Sequence, residues 1–194
     1  MGSEMCIRDS VHINVPKDQG SRNGYTFVMW IRPDIMNVQV LHHVFFAKKK
    51  RLGNYSTAPL EVELYMVGDG SLELCAGSDE LRREGLDFNL QVEDIKLPTG
   101  SWFHIAAVVS PDFARLYVNG TVREVRWNMP AQVVDGLFSE GSWDILIGAS
   151  GLQMGVGTPV IREGFRGSVD DFAIYDMVLS QEEITELCLN TKEN

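Results

Sequence analysis

Gly100 to Gly120, GSWFHIAAVVSPDFARLYVNG, constrains the fold of this chain more than any other stretch. Ile105, Ala107 and Val109 alternate with Ala106 and Val108, an apolar run of the length expected for a strand buried on both faces. Pro111 and Asp112 punctuate the run, and Leu116-Tyr117-Val118 resumes it. Asn119-Gly120 then supplies the pair of residues that tolerate positive φ, as a type I′ hairpin turn demands. The expectation is two adjacent antiparallel strands, with Trp102 and His104 at the mouth of the first.

Strand signals continue on either side. Val11 to Val15 alternates and stops at Pro16. Tyr25 to Arg32 places Tyr25, Phe27, Met29 and Ile31 on one face and Thr26, Val28 and Trp30 on the other. Val38 to Ala47 is an apolar strand, and Leu60 to Val67 turns at Gly68-Asp69-Gly70 to return as Ser71 to Ala76. Gly77 to Asn89 is charged, with one short helical turn, and reads as a surface insertion before Val92 to Leu97. Val122 to Trp127 and Gly141 to Ile147 are further strands. Gly148 to Gly157 is a glycine-rich loop and Val169 to Tyr175 the last strand. Ser180 and Glu183 form an S-x-x-E capping box that opens a short helix running to about Leu189. With no repeats and no internal linker, residues 11–194 read as one all-β domain: an antiparallel β-sandwich (jelly roll) with one short C-terminal helix.

Met1 to Ser10, MGSEMCIRDS, reads residue for residue as the translation of a sequencing-adapter end, so it is set aside as a non-native segment and Cys6 with it. The native sequence, including other domains of the same chain, is then expected upstream. The remaining length suits a single sandwich, and a hydrophobic content of 44% is enough for a sizeable core. No apolar run approaches the roughly eighteen residues of a membrane helix, so membrane insertion is not expected. The net charge is −10, of which Glu4, Arg8 and Asp9 carry −1. An acidic domain repels phosphate backbones, which argues against nucleic acid as a partner. Cys75 and Cys188 remain. They allow one disulfide in an oxidising compartment, worth about 3–5 kcal/mol by loop-closure entropy, or two buried thiols.

The hairpin stretch resembles the "GxWHHVAxxxDxxxxxLYxDG" pattern of laminin G-like and pentraxin-like jelly rolls, the concanavalin A-like lectin/glucanase superfamily. Tyr25 to Asp34, YTFVMWIRPD, is similar to that family's early "FTxxxWxxPD" strand. Phe165 to Glu183, FRGSVDDFAIYDMVLSQEE, is similar to its closing "FxGxIDDVRIYxxALSxEEI". These landmarks stand in family order and span most of Val11 to Leu189. The resemblance implies a sandwich whose relatives include lectins, adhesion modules, cytosolic scaffold modules and glycosidases. Relatives also hold calcium at loop carboxylates, which makes Asp170 and Asp171 the candidate calcium ligands. Two aspartates alone fall short of the six to eight oxygens calcium takes. Alternation in the last strand gives Asp170 the same face as Phe172 and Ile174; a carboxylate on a core face needs amides, hydroxyls or a metal.

Other candidate chemistry is sparse. The histidines His12, His42, His43 and His104 have no zinc spacing, and the resemblance gives His104 a structural place beside the neighbouring Trp. Lys48-Lys49-Lys50-Arg51 reads either as a solvated loop or as a contact for sulfated glycan or acidic lipid. Asn54 and Asn119 head N-x-S/T sequons and are candidate glycosylation sites. Gly148 to Gly157 lacks the G-K-[ST] of a phosphate loop. Trp30, Trp102, Trp127 and Trp143 fall in or beside strands, where core or strand-end packing is expected, and an exposed one would suggest sugar stacking. The family's glucanases carry an E-x-D-x-x-E or E-x-D-x-E strand motif. Glu61-Val62-Glu63 lacks its middle and third acids, so catalysis by a carboxylate pair is not expected and no catalytic residues are assigned. The function expected is a non-catalytic recognition module for glycan or protein, extracellular or at the cell surface in a larger protein. An interaction module of a cytosolic scaffold is the alternative, and a glycoside hydrolase-related domain ranks third.

Overall fold

A computed structural model describes residues 5–7, 11–15, 23–34, 42–50, 61–67, 70–77, 83–93, 95, 97–131, 133, 143–148, 151–155, 158–162 and 164–190. In chain order the strands are β1 (Met5–Ile7), β2 (Val11–Val15), β3 (Tyr25–Pro33), β4 (His42–Lys50), β5 (Glu61–Val67), β6 (Leu72–Gly77) and β7 (Phe88–Val92). They continue as β8 (Phe103–Val109), β9 (Phe113–Val118), β10 (Thr121–Trp127), β11 (Trp143–Ile147), β12 (Gly151–Gly155), β13 (Thr158–Arg162) and β14 (Gly167–Tyr175), followed by helix α1 (Gln181–Asn190). Sheet I runs β1-β14-β3-β8-β9-β10 and sheet II runs β2-β11-β4-β5-β6-β7, each of six strands, with β12 and β13 as a separate hairpin. Every strand ladder is antiparallel. The all-β sandwich with one C-terminal helix is therefore the observed architecture.

The two sheets meet face to face. Phe27, Met29 and Ile31 of β3 and Ile105, Ala107 and Val109 of β8 point inward, against Phe46, Leu64, Leu74 and Phe88 of sheet II. Phe27 stacks on Phe46 with centroids 4.6 Å apart, and Phe45 meets Phe165 edge-on at 5.1 Å. Each such side chain contributes about 1.5–3 kcal/mol of apolar burial. Phe45 and Phe46 are neighbours, yet both are fully buried in this one core. A shift of register between Val44 and Phe46 in β4 makes that possible, since a bulge breaks the alternation of faces. At the hairpin, Asn119 (φ 51°) and Gly120 (φ 74°) take the positive-φ pair expected of the turn.

Several expectations need correction. β4 continues through Lys48–Lys50, so most of the basic run is strand rather than loop; Lys49 stands opposite Asp144 in the ladder. The glycine-rich stretch contains β12, paired with β13, where a loop was expected. β7 begins at Phe88, inside the supposed insertion. Met5–Ile7 adds an edge strand to β14, a main-chain pairing open to almost any sequence. Cys75 belongs to β6 of sheet II, whereas Cys188 belongs to α1, which packs on the far side of sheet I; both are thiols. Sheets in a sandwich lie about 10 Å apart, beyond the roughly 7 Å that a disulfide spans between Cα atoms. The bridge allowed by the cysteine count does not form in this structure.

Gly167 opens β14 where no side chain fits. A Cβ there would stand 2.3 Å from the Arg32 carbonyl oxygen and 2.6 Å from the Phe165 ring. Because the obstacle includes backbone, Gly167→Ala is expected to push β14 from β3 and cost about 1–3 kcal/mol, read as a fall in melting temperature of roughly 3–10 °C. An unchanged melting temperature would show that the β14–β3 contact yields without cost.

Candidate functional site

The outer face of sheet I is apolar as well as the inner one. Val28, Ala106, Val108 and Tyr117 form a second buried cluster there with Leu179 and Ile184, so this face must be covered, and α1 covers it. The capping box seats the helix: Ser180 N–H donates to Glu183 Oε2 (2.7 Å) and Glu183 N–H to Ser180 Oγ (3.2 Å). Two further anchors were not visible in the sequence pattern. Thr26, fully buried, donates its hydroxyl to Met177 O (2.8 Å) and accepts from Leu179 N–H (3.0 Å), clamping the approach to α1. The Gly120 carbonyl accepts from Gln181 Nε2 and lies 3.0 Å from Thr185 Oγ1, so the helix sits directly on the hairpin turn.

Helix and sheet leave a cavity of about 270 Å³ lined by Val28, Trp30, His104, Asp171, Phe172, Ala173, Tyr175 and Leu187. Trp30 and His104 are register partners on β3 and β8, with their rings edge-on at 5.4 Å. His104 thus packs on Trp30 rather than on the adjacent Trp102, whose ring lies 5.1 Å from the Arg32 guanidinium. His104 is 2% exposed, and its Nδ1 has no hydrogen-bond partner among the described residues. Burial lowers its pKa from 6.5 to about 4, so the ring is neutral at physiological pH. Its main chain is locked to the turn: His104 N–H donates to Asn119 Oδ1 (3.0 Å) and Asn119 N–H to His104 O (2.7 Å). Asn119 is exposed there, while Asn54 lies outside the described residues.

The aspartate pair is arranged differently from the alternation expected. β14 carries a bulge between Asp170 and Ala173, with Asp171 at φ 47°. Asp170 stands opposite Trp30, half-buried on the outer face, while Phe172 and Ile174 pack on the inner core. The bulge inserts an extra residue, so Asp170 and Phe172 no longer share a face. Asp171 N–H donates to Asp170 Oδ1 (2.9 Å), and Asp171 lines the cavity. Its pKa is raised, first by partial burial and then by the Asp170 carboxylate. Among the described residues no group of three or more His, Cys, Asp or Glu side chains gathers to hold a metal. Asp170 and Asp171, one of them already bonded to backbone, do not by themselves make a calcium site.

Two other surfaces carry polar or aromatic chemistry. On the outer face of sheet II, Tyr65 OH donates to Glu73 Oε2 (2.8 Å) and lies 3.1 Å from Cys75 Sγ, and Asn89 Nδ2 also reaches Glu73 (3.2 Å). Burial, then the contacts with Cys75 and Glu73, push the Tyr65 hydroxyl pKa up. At the β9–β10 edge of sheet I, Trp127 is 57% exposed, contrary to the packing expected of it. Its ring lies 5.2 Å from Phe113, and the Arg115 guanidinium lies 4.1 Å from the Phe113 centroid and 5.7 Å from that of Trp127. Strand alternation alone could not have shown this, because β10 is an edge strand exposed along nearly its whole length.

His104 makes stability depend on pH. It stays neutral when folded down to about pH 4, but protonates near 6.5 when unfolded, so its contribution is complete above 6.5 and lost as pH falls toward 4. The loss by pH 4 is about 3 kcal/mol. Urea unfolding at pH 7 and pH 4 should therefore show a larger drop for the native chain than for His104→Gln, by about that amount. Equal drops would mean that His104 gains a proton without penalty.

Among curated protein sequences none matches. Solved structures with the same fold include a native heptameric SAP-like pentraxin from Limulus polyphemus (19% identity, TM-score 0.62, covering 91% of this chain and 75% of that one). Domain 4 of AbnA, a GH43 extracellular arabinanase from Geobacillus stearothermophilus, solved with arabinotriose, is similar at 19% identity and TM-score 0.61, covering 97% and 81%. The CBM40 of the Ruminococcus gnavus IT-sialidase, solved with α2,3 sialyllactose, is similar at 13% identity and TM-score 0.64, covering 97% and 98%. These likenesses bear on the fold. A sequence profile described as the concanavalin A-like lectin/glucanases superfamily matches residues 8–185, nearly the whole chain, and to that superfamily this chain belongs.

Proposed function

We propose that this chain is a non-catalytic recognition module that binds carbohydrate at the Trp127 platform. The observation that carries the reading is the exposure of Trp127 beside Phe113 with Arg115 between their rings. An exposed indole costs solubility unless it meets a ligand. Its face suits the C–H side of a pyranose or furanose ring, while a guanidinium donates to hydroxyls or a carboxylate at the sugar's edge. Arg115, Arg123 and Arg126 outnumber Glu124 along β9 and β10, a positive strip in an acidic chain. Two of the structural neighbours were solved with arabinotriose and with sialyllactose, which supports carbohydrate as the ligand class. An extracellular or cell-surface place in a larger protein, with glycan at Asn119, fits that ligand. Cys75 and Cys188 standing as thiols on opposite sides of the sandwich favour a second reading, an interaction module of an intracellular scaffold.

Calorimetric titration with arabino-oligosaccharides and with sialyllactose tests the proposal. At least one series should bind, and Trp127→Ala should weaken it about tenfold with the melting temperature unchanged. Absence of binding to every sugar, or equal binding by the variant, rejects carbohydrate recognition at this platform.

A further inference from the structure

We infer that the cavity between sheet I and α1 is a second binding site, selective for a small organic ammonium ion. Its walls are largely apolar and aromatic, with Trp30 and Tyr175 offering ring surface and Val28, Ala173 and Leu187 closing the rest. Two ionisable side chains of opposite character are among the lining residues, Asp171 and His104, and the buried His104 Nδ1 has no hydrogen-bond partner among the described residues. A buried ring nitrogen left in that state is costly unless a ligand meets it.

The sign of the charge selects the ligand. Asp171 lies next to Asp170, and no Lys or Arg is among the residues lining the cavity. Arg32 is engaged elsewhere, over the Trp102 ring and donating to Ser168 Oγ at 3.1 Å. An anion would be repelled, whereas a cation is attracted by the Asp171 carboxylate, which stands exposed at the margin of the cavity. An ammonium ion pairs with Asp171 and lays its carbon substituents on aromatic faces, where a cation is attracted; one that carries an N–H can also donate to the neutral His104 ring. At about 270 Å³ the space lies just under the range of drug-sized pockets and suits a ligand of few heavy atoms. Asp171 occupies the extra position of the bulge, at φ 47°, and lines the cavity there.

Binding is read by NMR of the whole chain, following the His104 imidazole and the Trp30 indole during titration with tetramethylammonium and propylammonium chloride. tert-Butanol and propanol serve as neutral counterparts and sodium chloride as the ionic control. Both ammonium ions should shift these signals saturably, and the alcohols and sodium chloride should not. Asp171→Asn keeps the side-chain shape, removes the charge and tolerates the same positive φ, so it should fold normally and bind about tenfold more weakly or worse. Leu187→Trp, which fills the cavity from the helix without touching a charge, should abolish the shifts. Trp127→Ala should leave them intact, which separates this site from the sugar platform. Equal shifts with the alcohols or with sodium chloride, or undiminished binding by either cavity variant, overturn the inference.

Discussion

Sheet I is apolar on both faces, and much of the rest of this molecule follows from that. A sheet in a two-layer sandwich needs only one buried face, with the other left polar to meet water. Here Val28, Ala106, Val108 and Tyr117 make the outer face as apolar as the inner one, so a third layer is required, and α1 is the only helix of any length among the described residues. Its ten residues cannot cover a six-stranded sheet. Docked on Gly120 and led in by the Thr26 clamp, α1 leaves part of β14, β3 and β8 uncovered, and that part is the cavity floor. Helix length and docking point together therefore place the cavity.

The same geometry gives opposite characters to the two ends of the outer face. Over β14, β3 and β8 the side chains are aromatic with carboxylates at the margin; over β9 and β10 they are aromatic with guanidinium groups. Both ends combine ring faces with charge, the usual make-up of surfaces that hold small polar ligands. The sign differs because the bulge in β14 brings Asp171 to the outer face, whereas Arg115 comes from an ordinary alternating position of β9. The outer face of sheet II is built otherwise. Tyr65 bonds Glu73 and lies beside Cys75 there, and Asn89 reaches the same carboxylate.

Strand type and hairpin order could be read in the sequence because they rest on local signals. The alternation from Tyr25 to Ile31, the continuous run from Ile105 to Val109, the Asn119-Gly120 turn and the Ser180–Glu183 box each involve residues close in sequence, and each stands as expected. The misses are places where the local rule is broken by something distant. The bulge at Asp171 reverses the facing that simple alternation predicts, and its cause is the pairing of β14 with β3, far away in the chain. Lys48–Lys50 looks like solvated loop until β11 pairs with it, and Gly151–Gly155 looks flexible until Thr158–Arg162 pairs back. The exposure of Trp127 depends on β10 being an edge, a property of the whole sheet.

His104 joins these levels. In the sequence it is one polar residue at the start of an apolar strand; in the fold it is the partner of Trp30, tied through its own backbone to the Asn119 turn on which α1 rests. A purely structural residue at this position could be leucine or phenylalanine, at lower desolvation cost and with no nitrogen left over. Retaining a neutral imidazole in an apolar cavity sacrifices stability, and the cost rises as the pH falls. His104 packs on the Trp30 ring and lines the cavity with Asp171, and its buried Nδ1 has no hydrogen-bond partner among the described residues, the lack that the proposed ligand would answer.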